Sequence, residues 1–145
     1  MLMRCLIVLL AAVVPAFAAS QPGALELASK ERVRAGLIAL TPDPRLAIAA
    51  EMQARHMAGR RQISHEGPNG STVLERVRAS GYSGCSMAEN VAAGQTTAQE
   101  VMSSWMASAG HRQNILNGKL VHGAVAAVRD DSGRLWWAMV LAGPC

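Results

Sequence analysis

The chain has 145 residues, half of them hydrophobic, and 14 Lys and Arg against 10 Asp and Glu give a formal net charge of +4. That length is enough for one domain, and no repeat, low-complexity segment or second domain interrupts it. The basic residues are scattered, with Arg60-Arg61 the only adjacent pair and no aromatic residues interleaved with a basic run, which argues against nucleic acid as a partner.

The first residues, MLMR, are followed by an apolar run from Cys5 to Ala19 and then SQPG. A short basic start, an apolar stretch of this size and the ending Ala16-Phe17-Ala18 are the pattern of a secretory signal peptide, with cleavage expected after Ala18 or, alternatively, Ala19. The run is shorter than the roughly 20 residues of a membrane span, so none is expected in the mature chain. Cys5 lies near the start of the run and not at a cleavage site, so no lipoprotein anchor is expected. The reading is a signal peptide over 1–18 and a single domain over 19–145, periplasmic or secreted, and a monomer. Processing removes Arg4, lowering the formal charge to +3, and Cys5, leaving Cys85 and Cys145. An even pair in an exported chain points to a disulfide, with free thiols or pairing to another chain as the alternatives. The bond would close a loop of about 60 residues, for roughly 3–4 kcal/mol in the loop-entropy account.

In the mature chain helices come first and strands last. A helix is predicted from Leu25 to Ala35, stopping at Gly36. Thr41-Pro42-Asp43-Pro44 breaks the chain and starts a second helix from about Arg45 to Ala58, ended by Gly59. After a turn at Gly67-Pro68-Asn69-Gly70, Ser71 can cap a third helix to about Ala79, closed by Gly81. Cys85 to Ala92 reads as a strand. A fourth helix spans about Ala98 to Ala107, and a short helix follows in AGHRQNIL. Gly123–Arg129 and Leu135–Leu141 form a hairpin turned by Asp130-Asp131-Ser132-Gly133.

Helical phase singles out particular residues. Leu46, Ala49, Ala50, Gln53 and Met57 share one face of the second helix, and Gln53 is the one polar member of that stripe. A buried amide without partners costs about 1–3 kcal/mol, so Gln53 is expected to meet another polar group in a cleft or core. His56 lies about 60° away, towards the rim. In the fourth helix Ala98, Val101, Met102 and Trp105 share the buried face, and Thr97-Ala98-Gln99-Glu100 fits a capping box that accounts for Glu100 structurally. Ser108 can cap the short helix.

The blocks KERVRAGL, DPRLAIAAEMQARHMA, SHEGPNGSTVLERVRASGY, AENVAAG, WMASAGHRQNIL and LWWAMVLAG, in this order, resemble the CAP superfamily, named for cysteine-rich secretory proteins, antigen 5 and pathogenesis-related proteins, and in particular its short bacterial SCP-like branch. The likeness covers about Leu25 to Gly143. It implies an α+β fold, an α-β-α sandwich with a small antiparallel sheet between helices. It also implies a cleft that in the family holds two histidines and two acids. Carried over residue by residue, the acid of the EN motif falls on Glu89, the second histidine on His111, the first histidine on Gln53 and the second acid on Ser108. The implied ligand cleft is therefore Gln53, Glu89, Ser108 and His111, a degenerate form of the family's tetrad.

Glu89 and His111 together could form an acid–imidazole pair that orients a ligand or a water. The alternatives are that both brace the fold, or that Glu89 satisfies backbone groups of its turn. His65, in ISHEG, is assigned to holding its loop, His122 to solvent, and one of Trp136 and Trp137 to the core with the other outward. One carboxylate and one imidazole fall short of a catalytic zinc site, so no cofactor is expected beyond weak divalent metal binding at Glu89 and His111. The function expected is a non-enzymatic binding module for a lipid, an envelope polymer or a protein ligand. The alternative is a protease-like hydrolase acting through the Glu89/His111 cleft. Ser108 and His111 are a Ser/His pair only by spacing, with no nucleophile elbow around the serine.

Overall fold

The computed structural model describes residues 23–145; the signal segment, with Cys5 and the cleavage site, lies outside the described residues. Helix α1 (Ala24–Arg34) is followed by a two-residue strand β1 (Thr41–Pro42), the long helix α2 (Pro44–Arg60), a 3-10 turn at Pro68–Gly70 and helix α3 (Val73–Ala79). Strand β2 (Ser86–Ala93), helices α4 (Ala98–Ala107) and α5 (Ala109–Ile115), and the hairpin β3 (His122–Arg129) and β4 (Leu135–Gly143) complete the chain. None of these helices is long and apolar enough to cross a membrane.

The helix ends show where local chemistry sharpened the expected boundaries. α2 starts at Pro44 because Asp43 caps it, accepting from Arg45 N at 2.8 Å, and a proline in the first turn gives up no helical donor. It runs through Gly59 and stops at Arg61, which takes the left-handed conformation at φ 52°. α3 is capped by Thr72, not Ser71. Thr72 Oγ1 accepts from Glu75 N and the Glu75 carboxylate accepts from Thr72 N, a reciprocal box that Ser71 is one residue too early to make. In α4, Thr97 accepts from Glu100 N at 3.1 Å, and the Glu100 carboxylate reaches back to Thr96 N at 2.7 Å, one residue further than the predicted box.

The sheet order is β1-β3-β4-β2. The three long strands are antiparallel, as expected, but β1 pairs parallel to β3 through Thr41↔His122 and Pro42↔Gly123, which makes the sheet mixed. The addition ends after two residues because the chain turns into α2 at Pro44. Helices α2 and α3 cover one face and α1, α4 and α5 the other, giving the three-layer α-β-α sandwich.

β4 lies between β3 and β2, so both of its faces are buried and its sequence reads as a continuous apolar run. Trp136, Ala138, Val140 and Ala142 pack towards α2, and Trp137, Met139 and Leu141 towards α1 and α4. The two tryptophans do alternate across the strand, but neither faces solvent, because each face has its own helical layer. Cys85, just before β2, is bonded to Cys145, just after β4, with Cα atoms 4.8 Å apart. The bond closes a 60-residue separation, for about 4 kcal/mol of stability in the loop-entropy account.

Candidate functional site

β2 is an edge strand, and its alternation decides what the EN doublet does. Glu89 sits opposite Val140 and so points to the α2/α3 face; Asn90 sits opposite Met139 and points to the α5 face. Consecutive residues thus serve different layers of the sandwich.

On the first face Glu89 is buried, and both of its oxygens are engaged. Oε2 accepts from Arg76 Nη2 at 2.6 Å, and Oε1 lies 2.9 Å from His65 Nδ1. An ionised carboxylate only accepts, so Nδ1 carries the proton and Nε2 is left as the free ring nitrogen of His65. The bond to Glu89 holds the His65 imidazolium above its ordinary range, against the opposing effect of burial. Arg76, at 1% exposure, also donates through Nη1 to Ser71 O at 2.6 Å, and both of its terminal nitrogens lie 3.3 Å from His65 O. One guanidinium therefore ties the strand carboxylate to both ends of the loop that carries His65.

Gln53 is fully buried in α2 beneath the same loop. Its amide nitrogen donates to Ser64 O at 2.5 Å and Glu66 O at 3.2 Å, the carbonyls on either side of His65. The expectation that Gln53 meets a polar group holds, but that group is the loop backbone. The position beside Glu89 expected of Gln53 is filled instead by His65, presented from the loop that Gln53 grips. Gly67 completes the arrangement, since a Cβ there would lie 2.6 Å from Arg76 Nη1 and 2.8 Å from Gln53 Oε1.

On the second face Asn90 Nδ2 donates to His111 O at 3.0 Å, and Asn114 Nδ2 donates to Asn90 Oδ1 at 2.8 Å. These bonds dock α5 on the sheet edge and fix the backbone at His111. The acid–imidazole pair expected between Glu89 and His111 is made with His65, because Glu89 and α5 lie on opposite sides of β2. His111 is half-buried, and burial, with a smaller contribution from the neighbouring His65 charge, lowers its basicity. Glu89 is not a turn residue, and its side chain bonds other side chains rather than backbone.

Ser108 is the N-cap residue of α5, but its side chain makes no capping bond. His122, expected in solvent, is half-buried with Nδ1 2.7 Å from Tyr82 Oη, because the segment after α3 folds over the start of β3.

A groove of about 380 Å³ opens between His65 and Glu89 on one side and Ser71–Val73 on the other. Its lining does not include Gln53, Ser108 or His111. A larger, mainly apolar groove of about 620 Å³ lies at the opposite edge of the sheet, beside Leu25, Val125 and Trp137. Its carboxylate, Asp43, is held by Arg45 at 2.6 and 3.0 Å and kept down to a pKa of about 2, first by that bond.

Among the described residues no three His, Cys, Asp or Glu side chains group as a metal site. Both Glu89 oxygens are bound by Arg76 and His65, which leaves the imidazoles of His65 and His111, one fewer than the three protein ligands of a catalytic zinc.

Residues 25–141 match the family model described as CAP, the cysteine-rich secretory protein family. The chain belongs to this family. It is 35% identical over 112 residues to a Bacillus subtilis relative called uncharacterized protein YkwD, spanning 77% of this chain and 43% of that protein. The chain thus spans less than half the length of this curated relative. The fold of the CAP chain is similar to that of an outer surface protein of Borrelia burgdorferi, with a TM-score of 0.76 at 18% identity over 83% of this chain and 90% of that one. It is equally similar to an extracellular Bacillus anthracis protein containing an SCP domain, with a TM-score of 0.76 at 22% identity over 83% and 39% of the two chains.

Sequence reasoning passed over Arg76 and undervalued His65 in this CAP chain. Arg76 carried a readable signal: with Val73 and Val77 it lies on one helix face, an ionisable group on an apolar stripe, as Gln53 is in α2. His65 carried none, because it stands on a loop where no periodicity applies.

Proposed function

We propose that this CAP chain is a non-enzymatic extracytoplasmic binding module that takes its ligand in the groove beside β2, with His65 as the polar group that its loop presents there. The observation that carries the reading is the double engagement of Glu89. A carboxylate bound through one oxygen to a buried arginine and through the other to an imidazole serves to hold the loop and is not a free general base. The ligand is a lipid, an envelope polymer or a protein segment, and nucleic acid is not among its partners. The protein acts as a periplasmic or secreted monomer without a resident metal or other cofactor, and the Cys85–Cys145 bond suits that compartment. The test is native mass spectrometry of protein purified from its own envelope, for the wild type and for His65→Ala. A co-purifying mass lost or reduced at least tenfold in the variant is expected. Equal retention in both would overturn the assignment of the groove.

One observation favours a hydrolytic reading. Glu89 orients His65 through Nδ1 and leaves Nε2 free, the arrangement of an imidazole able to take a proton from water. Under that reading, turnover of a fluorogenic peptide library is present in the wild type and falls at least 100-fold in both His65→Ala and Glu89→Gln. Absence of turnover in the wild type rejects it.

A further inference from the structure

At the sheet edge opposite β2, β1 pairs with β3 only through Thr41↔His122 and Pro42↔Gly123 before the chain turns into α2. Beyond Gly123, β3 has β4 on one side and, among the described residues, no strand on the other. Backbone alternation says which groups this leaves open. Val121 O accepts from Thr41 N at 2.9 Å and Gly123 O from Asp43 N at 3.2 Å, so Val125 and Ala127 turn their N–H and C=O the same way. The next acceptor of the β1 row, Asp43 O, is taken by Ala47 N in the first turn of α2. The apolar groove of about 620 Å³ lies along this edge. Both helical layers line it, Leu25 and Ala98 from α1 and α4, Pro44 and Ala47 from α2, with Val125 and Trp137 of the sheet between them. A groove that straddles a sheet edge between two helical layers has the place and shape of a missing strand.

Gly23, the first described residue, also lines this groove. Leu25 Cδ1 stands 3.0 Å from the point that a Cβ on Gly123 would occupy, so α1 begins beside the end of the edge that β1 closes. A segment leading into Gly23 can follow the open edge only on the Ala127 side, antiparallel to β3. We propose that Ala19–Pro22, the residues between the expected cleavage site and Gly23, lie in this groove as a fifth strand on β3, with Gln21 exchanging both backbone hydrogen bonds with Val125. The lengths agree. Four extended residues reach at most about 14 Å, and the four steps from Gly123 to Ala127 cover about 14 Å. The chemistry agrees as well. Ala, Ser, Gln and Pro bring no side-chain charge, and the one carboxylate of the groove, Asp43, is already held by Arg45. Pro22 is one residue from Gln21, so its missing N–H falls on the outer side of the added strand, where proline needs no partner and discourages further pairing. Cleavage after Ala18 or after Ala19 leaves Gln21 and Pro22 in the mature chain. The chain itself thus fills this groove and closes an edge open to pairing with other chains, apart from any ligand of the groove at His65.

The test compares the chain from Ala19 to Cys145 with the same chain started at Gly23, by NMR-detected hydrogen exchange at the Val125 amide. Exchange at least tenfold faster in the shorter chain is expected. Gln21→Pro in the longer chain, which removes the donor to Val125 O, should give the same acceleration. A cross-strand nuclear Overhauser contact between Gln21 and Val125 is expected in the longer chain. Equal Val125 exchange in the two chains would overturn the proposal. Protection of Val125 that rises in both chains when protein concentration is raised tenfold would also overturn it, and would assign the edge to a second copy.

Discussion

The two sides of strand β2 hold the edge of the sheet by different chemistry. On the α2/α3 side, Glu89 is fixed by a buried guanidinium and an imidazole, so its network is ionic and one member, His65, has its basicity raised by the bond to Glu89. On the α5 side, Asn90 is fixed by the Asn114 amide and the His111 carbonyl, a network of neutral groups. Adjacent residues in one strand thus meet opposite electrostatic regimes only because the pleat points them apart. The ionic side should be strong and conditional, and the amide side weaker and constant.

The largest effect that separates them is expected at Arg76. Arg76→Met leaves the Glu89 carboxylate buried without its main partner and frees the carbonyls of His65 and Ser71. A loss of about 3–5 kcal/mol is expected in urea denaturation, the usual cost of stranding one half of a buried ion pair. Adding Glu89→Gln to that variant should recover part of it. If Arg76→Met costs under about 1 kcal/mol, the ionic side is not what holds the loop.

Asn90→Ala should cost less, about 1–3 kcal/mol, because it strands neutral partners. The loss should be the same at pH 5 and pH 8. A loss that changes with pH between these values would show that the two sides of β2 are coupled through the strand.

The histidines sharpen the comparison through the sign of their pH dependence. His65 has its folded-state basicity raised by the Glu89 bond. Its contribution is complete below the unfolded value of about 6.5 and is lost as pH rises through the higher folded value. His111 has its basicity lowered by burial, so its contribution is complete above about 6.5 and is lost as pH falls through the lower folded value. NMR titration should place His65 above and His111 below the ordinary histidine range, and Glu89→Gln should bring His65 down. A His65 midpoint that does not move in Glu89→Gln would show that the bond does not persist in solution.

The smallest effect concerns metal. Zinc titration calorimetry should give weak binding that falls further in His65→Ala or His111→Ala. Gln53→His, which by the sequence alignment would supply a missing imidazole, should lower stability without raising zinc affinity, because position 53 is under the loop and outside the groove. A clear rise in affinity in that variant would show that the loop opens to admit it.

The CAP fold was legible in the sequence because its signals are local and repeat along the chain. The apolar stripe of α2, the hairpin turn at Asp130–Gly133 and the near-continuous apolar run of β4 each follow from periodicity and turn chemistry, and ordered blocks of residues carried the family. Burial of Gln53 was legible for the same reason, since a polar residue at a core phase must be satisfied inside. Which partner satisfies it was not. The loop at 61–71 folds back over α2 and brings Ser64 O and Glu66 O to the amide, a contact set by the path of a loop that carries no periodic signal.

The sequence alone therefore determined the helices, the three long strands and the apolar face of α2. Only the tertiary structure decided that His65 bonds Glu89, that Arg76 anchors both, and that His111 approaches from the other side of the sheet. The physical reason is the period of two in β2. Glu89 and Asn90 are one residue apart in the chain, but the pleat sends them to different layers, and the helix or loop each one meets depends on how distant segments pack against those layers.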